Sequence, residues 1–515
     1  MSLDSFLYLL HYAPHRSGSS DWEVDWSDAP LSYKLYRHLP VIPLSAEVPL
    51  TLEGQRVSGQ PELEALGHFL AYSYGVTRIH CTQGSPLPRR YVPSGGGLFP
   101  SEVYVYLKLA NAPHGVYHYD AAHHRLVLLR EGNFDGYLGR ALGERCELSD
   151  CFGVAFVSTV FWKNFFKYNN FAYRLQGADA GVLIGQLLEV AKRFGFETGV
   201  YFQFLDRAVN HLLGLAEQEE SVYAILPLSV KPQVRLFAGT FQREAVTSGE
   251  LCQELPVIRT EQVQRSKVIR DYSMLTRMNE ASLLESTQAF QQIGGGETHG
   301  AEGELDLHLP DVRLLGYDLA EVCRKRFSPG ESFAAREVGR LQVGALLRDA
   351  VSSFNYCNDL DDADKTPEAP RVNLYGCVRK VKGIPDGAYA YDRVRHGLRR
   401  LQSGDLGGWL QTSLMVHNLN LAQIPLHLHV AGDRHHLTKA LGKRGYRIAQ
   451  MEAGLMVQRL LIAATALDLG GHPLLGFDAG KMDYLYDATS QGRSTQIYVP
   501  IGRHRASSEW RGMLR

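Results

Sequence analysis

A chain of 515 residues, 45% hydrophobic and 21% charged, has the length for two or three domains and an ordinary globular balance. A formal net charge of −1 and a pI near 7.1 exclude a global field for nucleic acid or an anionic membrane, so any anion must be held by a local cluster. Seven scattered cysteines form no C-x-x-C pair, no H-E-x-x-H occurs, and the longest apolar run, around 152–160, is far short of the ~18 residues of a membrane span. A soluble cytoplasmic protein with free thiols and no bound metal is expected.

In chain order, residues 1–60 are rich in aromatics, prolines and polar turns, and read as an irregular N-terminal arm anchored by Tyr33, Leu35 and Tyr36. Leu63, Leu66, Phe69 and Leu70 recur at helical spacing within 61–74. Then comes Arg89-Arg90-Tyr91-Val92-Pro93-Ser94-Gly95-Gly96-Gly97-Leu98-Phe99-Pro100, feeding strands at 103–109 and 116–119 and a hairpin to 129. A strand at 154–160 leads through the aromatic segment 161–174 into a helix over 175–194, with Gly177, Gly181 and Gly185 on one face. A strand at 222–228 closes a first domain over 61–245. Residues 246–310, polar and carrying Gly294-Gly295-Gly296 and Gly300, read as a helical and linker segment. A second domain, 311–515, begins with a helix at 337–351 and continues through strands at 373–378 and around 384–392 to a last strand at 497–500.

Three consecutive glycines between prolines give a backbone that can lie flat against a ligand, or else a tight connection before a strand. The loop carries no P-loop lysine and precedes a strand, which excludes a phosphate cradle at a helix N-terminus.

An internal repeat organises the rest. Residues 112–120 match 384–392 at an offset of 272 (392 − 120), and Tyr173-Arg174, Asp179-Ala180-Gly181 and Gln186-Leu187-Leu188 match Tyr446-Arg447, Glu452-Ala453-Gly454 and Arg459-Leu460-Leu461 at 273 (447 − 174). Two segments in the same order at a nearly constant offset point to a fused pair of homologous α+β domains, an intramolecular pseudo-dimer.

The loop at 93–104, the Lys167-Tyr168 pair and the helix beginning Tyr173-Arg174 resemble the SagB-type dehydrogenases, FMN-dependent members of the nitroreductase fold that oxidise azolines to azoles in ribosomally made peptides. The resemblance extends over both halves and implies unequal contributions to a flavin site. Pro93, Ser94, Gly95, Gly96, Gly97 and Leu98 would cover the ring; Arg324, Arg326 and Ser328, with Arg503 and Arg505, would take the phosphate. Gly470 and Gly471 would approach the flavin's pyrimidine edge, or simply end a helix. The reciprocal set is poor. The second half offers Ala369-Pro370-Arg371 in place of the glycine loop, and Leu441 stands 273 residues after Tyr168. The first half has Gln55-Arg56-Val57-Ser58 against the basic run, and Phe196-Glu197-Thr198-Gly199 against Leu469-Gly470-Gly471. One competent site per chain, built from both halves, is expected.

The activity so implied is oxidation of thiazoline or oxazoline, with hydride passing to flavin N5, Lys167 or Tyr168 as the base, and dioxygen reoxidising the flavin. Either base needs a shifted pKa: burial lowers a lysine, and a neighbouring ammonium lowers a tyrosine. An aromatic core stripe with one exposed lysine is the competing account of that segment. The implied partners are an azoline-bearing peptide and the cyclodehydratase subunits of a synthetase, with further homo-oligomerisation left open. An NAD(P)H-dependent nitroreductase-like enzyme and a flavin-free scaffold are the alternatives.

Overall fold

The structure is a computed structural model that describes all residues except 19–20, 83–84, 232–235, 238–244, 296–303, 362–369, 416–418, 506–510 and 514–515. Gly296 and Gly300 of the expected linker, and Ala369, lie outside the described residues. The chain forms two compact units. One comprises 18–294, 356–366 and 511–515; the other comprises 1–17, 295–355 and 367–510.

In the first of these, seven strands are β1 (Val41–Pro43), β2 (Ser101–Leu107), β3 (Gly115–Asp120), β4 (Arg125–Glu131), β5 (Gly153–Val160), β6 (Glu197–Thr198) and β7 (Glu220–Ser229). Their order is β1-β4-β3-β2-β5-β7-β6, all antiparallel. In the second unit β8 (Leu307–His308), β9 (Val372–Val378), β10 (Gly387–Asp392), β11 (Gly397–Ser403), β12 (Leu426–Asp433), β13 (Gly470–Gly471) and β14 (Arg493–Gly502) run β8-β11-β10-β9-β12-β14-β13. Adding seven to each label of the first order gives the second. The repeat legible in sequence is therefore a repeat of topology, and the α+β class holds in both units.

β2 is buried along its whole length because both faces of its sheet are covered. On one face Tyr104, Tyr106, Val154 and Phe156 join Leu138 and Leu212 in a single core. The other carries α2 (Leu63–Tyr74) and the long helix α4 (Ala172–Phe194), tied by the Gln186 amide donating to Tyr72 O at 2.8 Å. Each such buried aliphatic side chain contributes about 1.5–3 kcal/mol. In the other unit Tyr375, Cys377, Ala431 and Tyr498 form the corresponding core with Leu410 and Met482.

Between β5 and α4 lies the short helix α3 (Phe161–Tyr168), ended by Asn169 at φ 49° and ψ −143°. The second unit has α5 (Leu319–Lys325), α6 (Arg340–Ser352) and the 31-residue α7 (His436–Ala466), which is broken at Gly442 with φ 57° and ψ −133°. Gly442 follows Asn169 by 273 residues (442 − 169), so both repeats turn the chain the same way before their central helix. The equivalents of Lys167 and Tyr168 are thus Ala440 and Leu441.

The N-terminal segment differs from the irregular arm expected. Residues Leu3–Tyr12 form a helix, α1, because Phe6 and Leu10 share a buried face and Ser2 caps it by accepting the Ser5 N–H at 3.1 Å. It joins the second unit through a His11–Ser494 hydrogen bond of 2.6 Å and the Tyr12 hydroxyl donating to Asp483 at 3.2 Å. β12 was not legible either: His427 and His429 interrupt an apolar run, yet both are buried, each bonded to a tyrosine hydroxyl. Among the described residues no helix is long and apolar enough to cross a membrane.

Candidate active site

Ser94 is extended, Gly95–Gly97 make one tight turn, and Gly96 and Gly97 sit at φ +65° and +70°. Glycine is required there twice over. A side chain would strain the left-handed backbone, and a Cβ on Gly96 would lie 2.6 Å from the Tyr168 hydroxyl and 3.2 Å from Lys167 Nζ. A Cβ on Gly97 would lie 2.6 Å from Arg89 Nη1. The structure therefore brings together the glycine loop and the Lys-Tyr pair, about seventy residues apart in sequence.

Neighbouring elements fix this arrangement. Asp179, on α4, accepts the Ser94 hydroxyl at 2.6 Å and the Gly95 N–H at 3.1 Å. Ser94 Oγ in turn accepts the Phe99 N–H at 2.9 Å, holding Phe99 at an unfavourable φ of 49°. Arg90 donates to Tyr74 O at 2.6 Å and Ser32 O at 2.9 Å, its guanidinium 3.8 Å above the Tyr74 ring. Lys163 ties α3 to the start of β2 through an ion pair with Glu102, itself bonded to His118 at 3.0 Å.

The electrostatics separate the two candidate bases. Burial lowers the Lys167 pKa; its ammonium faces the Trp26 and Tyr168 rings at 5.4 and 5.0 Å, and no carboxylate among the described residues pairs with it. Tyr168 is pushed up to about 12 by burial and by the Asp179 charge. The neighbouring ammonium does not lower it, contrary to the expectation for a tyrosine base. Burial also pushes the Asp179 carboxyl up to about 7, against the pull of the Ser94 and Gly95 hydrogen bonds. Asp179 escaped the sequence reading as a site residue; its only signal was its place in the repeat, opposite Glu452.

The other expected residues gather at one end of the second unit's sheet. Arg324 lies in the last turn of α5, and the chain from Arg326 to Ser328 leaves that helix toward β13. A Cβ on Gly470 would lie 2.4 Å from Pro329 Cγ and 2.7 Å from His504 Cδ2, and one on Gly471 would lie 2.5 Å from Leu461. These glycines are needed for close approach of neighbouring chain rather than for a helix end. Gly470 and Gly471 pair with Gly502 and Ile501, which places the 503–505 segment beside them. Arg503 donates to Asp468 O at 3.2 Å, and the Arg505 N–H to Ser332 O at 2.8 Å. Arg326 is 9% exposed, and burial together with its charge pulls His472 down to about 4. Arg324, Arg326, Ser328, Gly470, Gly471, Arg503 and Arg505 are thus neighbours within one unit.

The reciprocal positions carry different chemistry. Where β13 has two glycines, β6 has Glu197 and Thr198, a carboxylate unsuited to an anion. Where Asp179 holds the glycine loop, Glu452 pairs with Arg371 through Nη2 at 2.8 Å and Nε at 3.0 Å. The loop and the basic cluster are compatible with an FMN ring and phosphate respectively. Gly95, Gly96 and Gly97 present backbone without side chains, as a flat group requires, and the largely buried Arg326 suits a dianion.

A family model described as the nitroreductase family matches residues 61–228, which hold the loop, the Lys-Tyr pair and Asp179. MJ1384 of Methanocaldococcus jannaschii, a protein that carries the name nitroreductase, is 31% identical over 170 residues, 32% of this chain and 81% of that protein. The trifolitoxin-processing protein TfxB of Rhizobium leguminosarum bv. trifolii is 32% identical over 136 residues, 25% of this chain and 36% of TfxB. A crystal structure from Anabaena variabilis, also named for a nitroreductase, superposes with a TM-score of 0.75 at 21% identity, covering 98% of this chain and 99% of that one. That last likeness speaks to the fold alone.

Proposed function

Since this chain belongs to the nitroreductase family, we propose that it is an FMN-dependent dehydrogenase of the SagB type, oxidising thiazoline or oxazoline rings of a ribosomally made peptide to thiazole or oxazole. The observation that carries this reading is the placement of Lys167 and Tyr168 directly against Gly96 of the loop. The likeness to TfxB, by name a trifolitoxin-processing protein, supports a processing role. An azoline-modifying synthetase would supply the partners, a cyclodehydratase among them.

FMN, when bound, supplies a two-electron acceptor for the hydride lost from the azoline carbon, with dioxygen as the terminal oxidant. The chain's own residues do the rest. Gly96 and Gly97 keep the loop free of side chains that would hold a flat ring away, and Arg324, Arg326, Arg503 and Arg505 offer permanent positive charge to a phosphate. Lys167 takes the one proton that leaves alongside the hydride, acting as a neutral amine, the form that burial favours. Tyr168 stays protonated and donates a hydrogen bond rather than accepting a proton.

One FMN per chain is proposed, because the glycine loop and the basic run each occur once in the chain. The test is flavin content and visible spectrum of the purified protein, followed by azole formation in Lys167→Ala and Tyr168→Phe. Both variants should retain flavin, with turnover slowed in Tyr168→Phe and slowed further in Lys167→Ala; two flavins per chain, a colourless protein that takes up no FMN, or unchanged turnover in both variants would refute the reading. The match to MJ1384 favours a second reading, reduction of a small acceptor by NAD(P)H. Rapid bleaching of the flavin by NAD(P)H in the absence of peptide would select it.

A further inference from the structure

An open cavity of about 440 Å³ lies in the second unit, between the β10–β11 hairpin and α6, away from the basic cluster described above. Three arginines line it. Arg348 pairs with Asp311, and Arg395 pairs with Asp392 at 2.7 Å. Arg393, exposed on the hairpin beside Tyr391, donates to an amide, Asn355 Oδ1, at 3.4 Å and has no carboxylate partner among the described residues.

The internal repeat shows that this charge is not needed for the fold. In each repeat a tyrosine hydroxyl bonds a histidine Nδ1 at 2.9 Å: Tyr119 with His124, and Tyr391 with His396. Both histidines have left-handed backbone, at φ 48° and 49°, and each faces a helix glycine, Gly67 in α2 and Gly344 in α6. Their carbonyls accept the N–H groups of Leu44 and Leu309. These anchors fix the correspondence residue by residue. Arg393 stands where the first repeat has Ala121, Arg348 where it has Ala71, and Asp311 where it has Ala46. Three alanines in one repeat are three charged residues around one cavity in the other.

From this placement we propose that the cavity is a binding site for a single carboxylate carried on an apolar stem. Among the described residues, the three arginines and their two aspartates carry a net charge of +1, which a monoanion matches. A guanidinium fork matches two carboxylate oxygens. The remaining wall is mixed: Ser352 and His396 are polar, while Leu309, Val351, Tyr391 and the rim residue Val394, 90% exposed at the hairpin tip, offer apolar surface to a stem. Such a group is offered by the C-terminal end of a peptide closing on an aliphatic residue, and equally by a small free aliphatic acid.

Calorimetric titration of the full chain tests this with three probes: 4-methylpentanoate, an N-acetylated tetrapeptide ending in a leucine with a free carboxylate, and the same peptide as its amide. Binding of the acids without the amide, weakened at least tenfold in Arg393→Ala, is the expected result. A peptide acid at least tenfold tighter than 4-methylpentanoate assigns the site to a chain terminus, and comparable affinities assign it to a free acid. Arg393→Ala should fold, since the first repeat has alanine there. Should it fail, Val394→Asp places a competing carboxylate on the exposed rim and should abolish binding. No binding of either acid, equal binding of acid and amide, or full affinity in the variant overturns the proposal. None of these results depends on whether the protein binds flavin.

Discussion

Asp179 accepts the Ser94 hydroxyl at 2.6 Å from a position 85 residues downstream, and its second contact, to the Gly95 N–H, makes one carboxylate the anchor of the whole glycine turn. Both donors favour the ionised form, while burial favours the protonated one and prevails, holding the carboxyl near 7.

The stability consequence has a definite sign. A carboxyl whose folded pKa lies above its unfolded value holds its proton more tightly when folded. Its stabilising contribution is therefore complete below about pH 4 and lost as pH rises through about 7. Urea unfolding of wild type and Asp179→Asn across pH 4–8 should show a difference in stability that shifts against wild type as pH rises. A difference independent of pH would show that Asp179 does not titrate there.

Gly96→Ala should cost about 1–2 kcal/mol from its left-handed backbone alone, with a further penalty from the Cβ placed 2.6 Å from the Tyr168 hydroxyl. Gly54→Ala is the matched control, with φ +76° and nothing within 4 Å of the added Cβ. Thermal unfolding of both should show the larger loss for Gly96→Ala, and equal losses would mean that Tyr168 yields freely. Only the Gly96 variant should lower bound FMN.

With Lys167 as the base, turnover should rise with pH through an ionisation below the ordinary lysine range, since burial depresses that group. Tyr168→Phe should keep this rising limb at reduced rate, and Lys167→Ala should lose it. A limb that vanishes with Tyr168 instead would reverse the two roles.

Arg371→Ala should destabilise the second unit by about 3–5 kcal/mol, because it removes the guanidinium that faces the buried Glu452 carboxylate. Removing both charges, as Arg371→Met with Glu452→Met, should recover most of that loss. A double variant as unstable as the single one would show that Glu452 is not the source of the penalty.

Much of the fold was legible because the signals are local or repeat along the chain. Apolar runs marked β2 and β5, apolar spacing marked α2 and α4, and a near-constant offset exposed the duplication before any strand order was known. The misreadings came where context outweighs composition. α1 depends on burying Phe6 and Leu10 in a unit whose remaining residues start nearly three hundred positions later. β12 keeps its histidines inside with one ring nitrogen of each bonded to a tyrosine hydroxyl. Of the candidate site, the loop and the Lys-Tyr pair stood out as motifs, whereas Asp179 was an ordinary acid on a helix until Ser94 was seen to reach it.

What the sequence determined by itself is the inventory: two copies of one topology, glycines in one and a basic run in the other, with a Lys-Tyr pair occurring once. The tertiary structure decided which of these residues meet, and so which protons they hold. Burial and charge act over a few ångströms of space rather than along the chain. That is why burial raises the Tyr168 pKa and lowers that of Lys167, although the two are adjacent in sequence and looked interchangeable there.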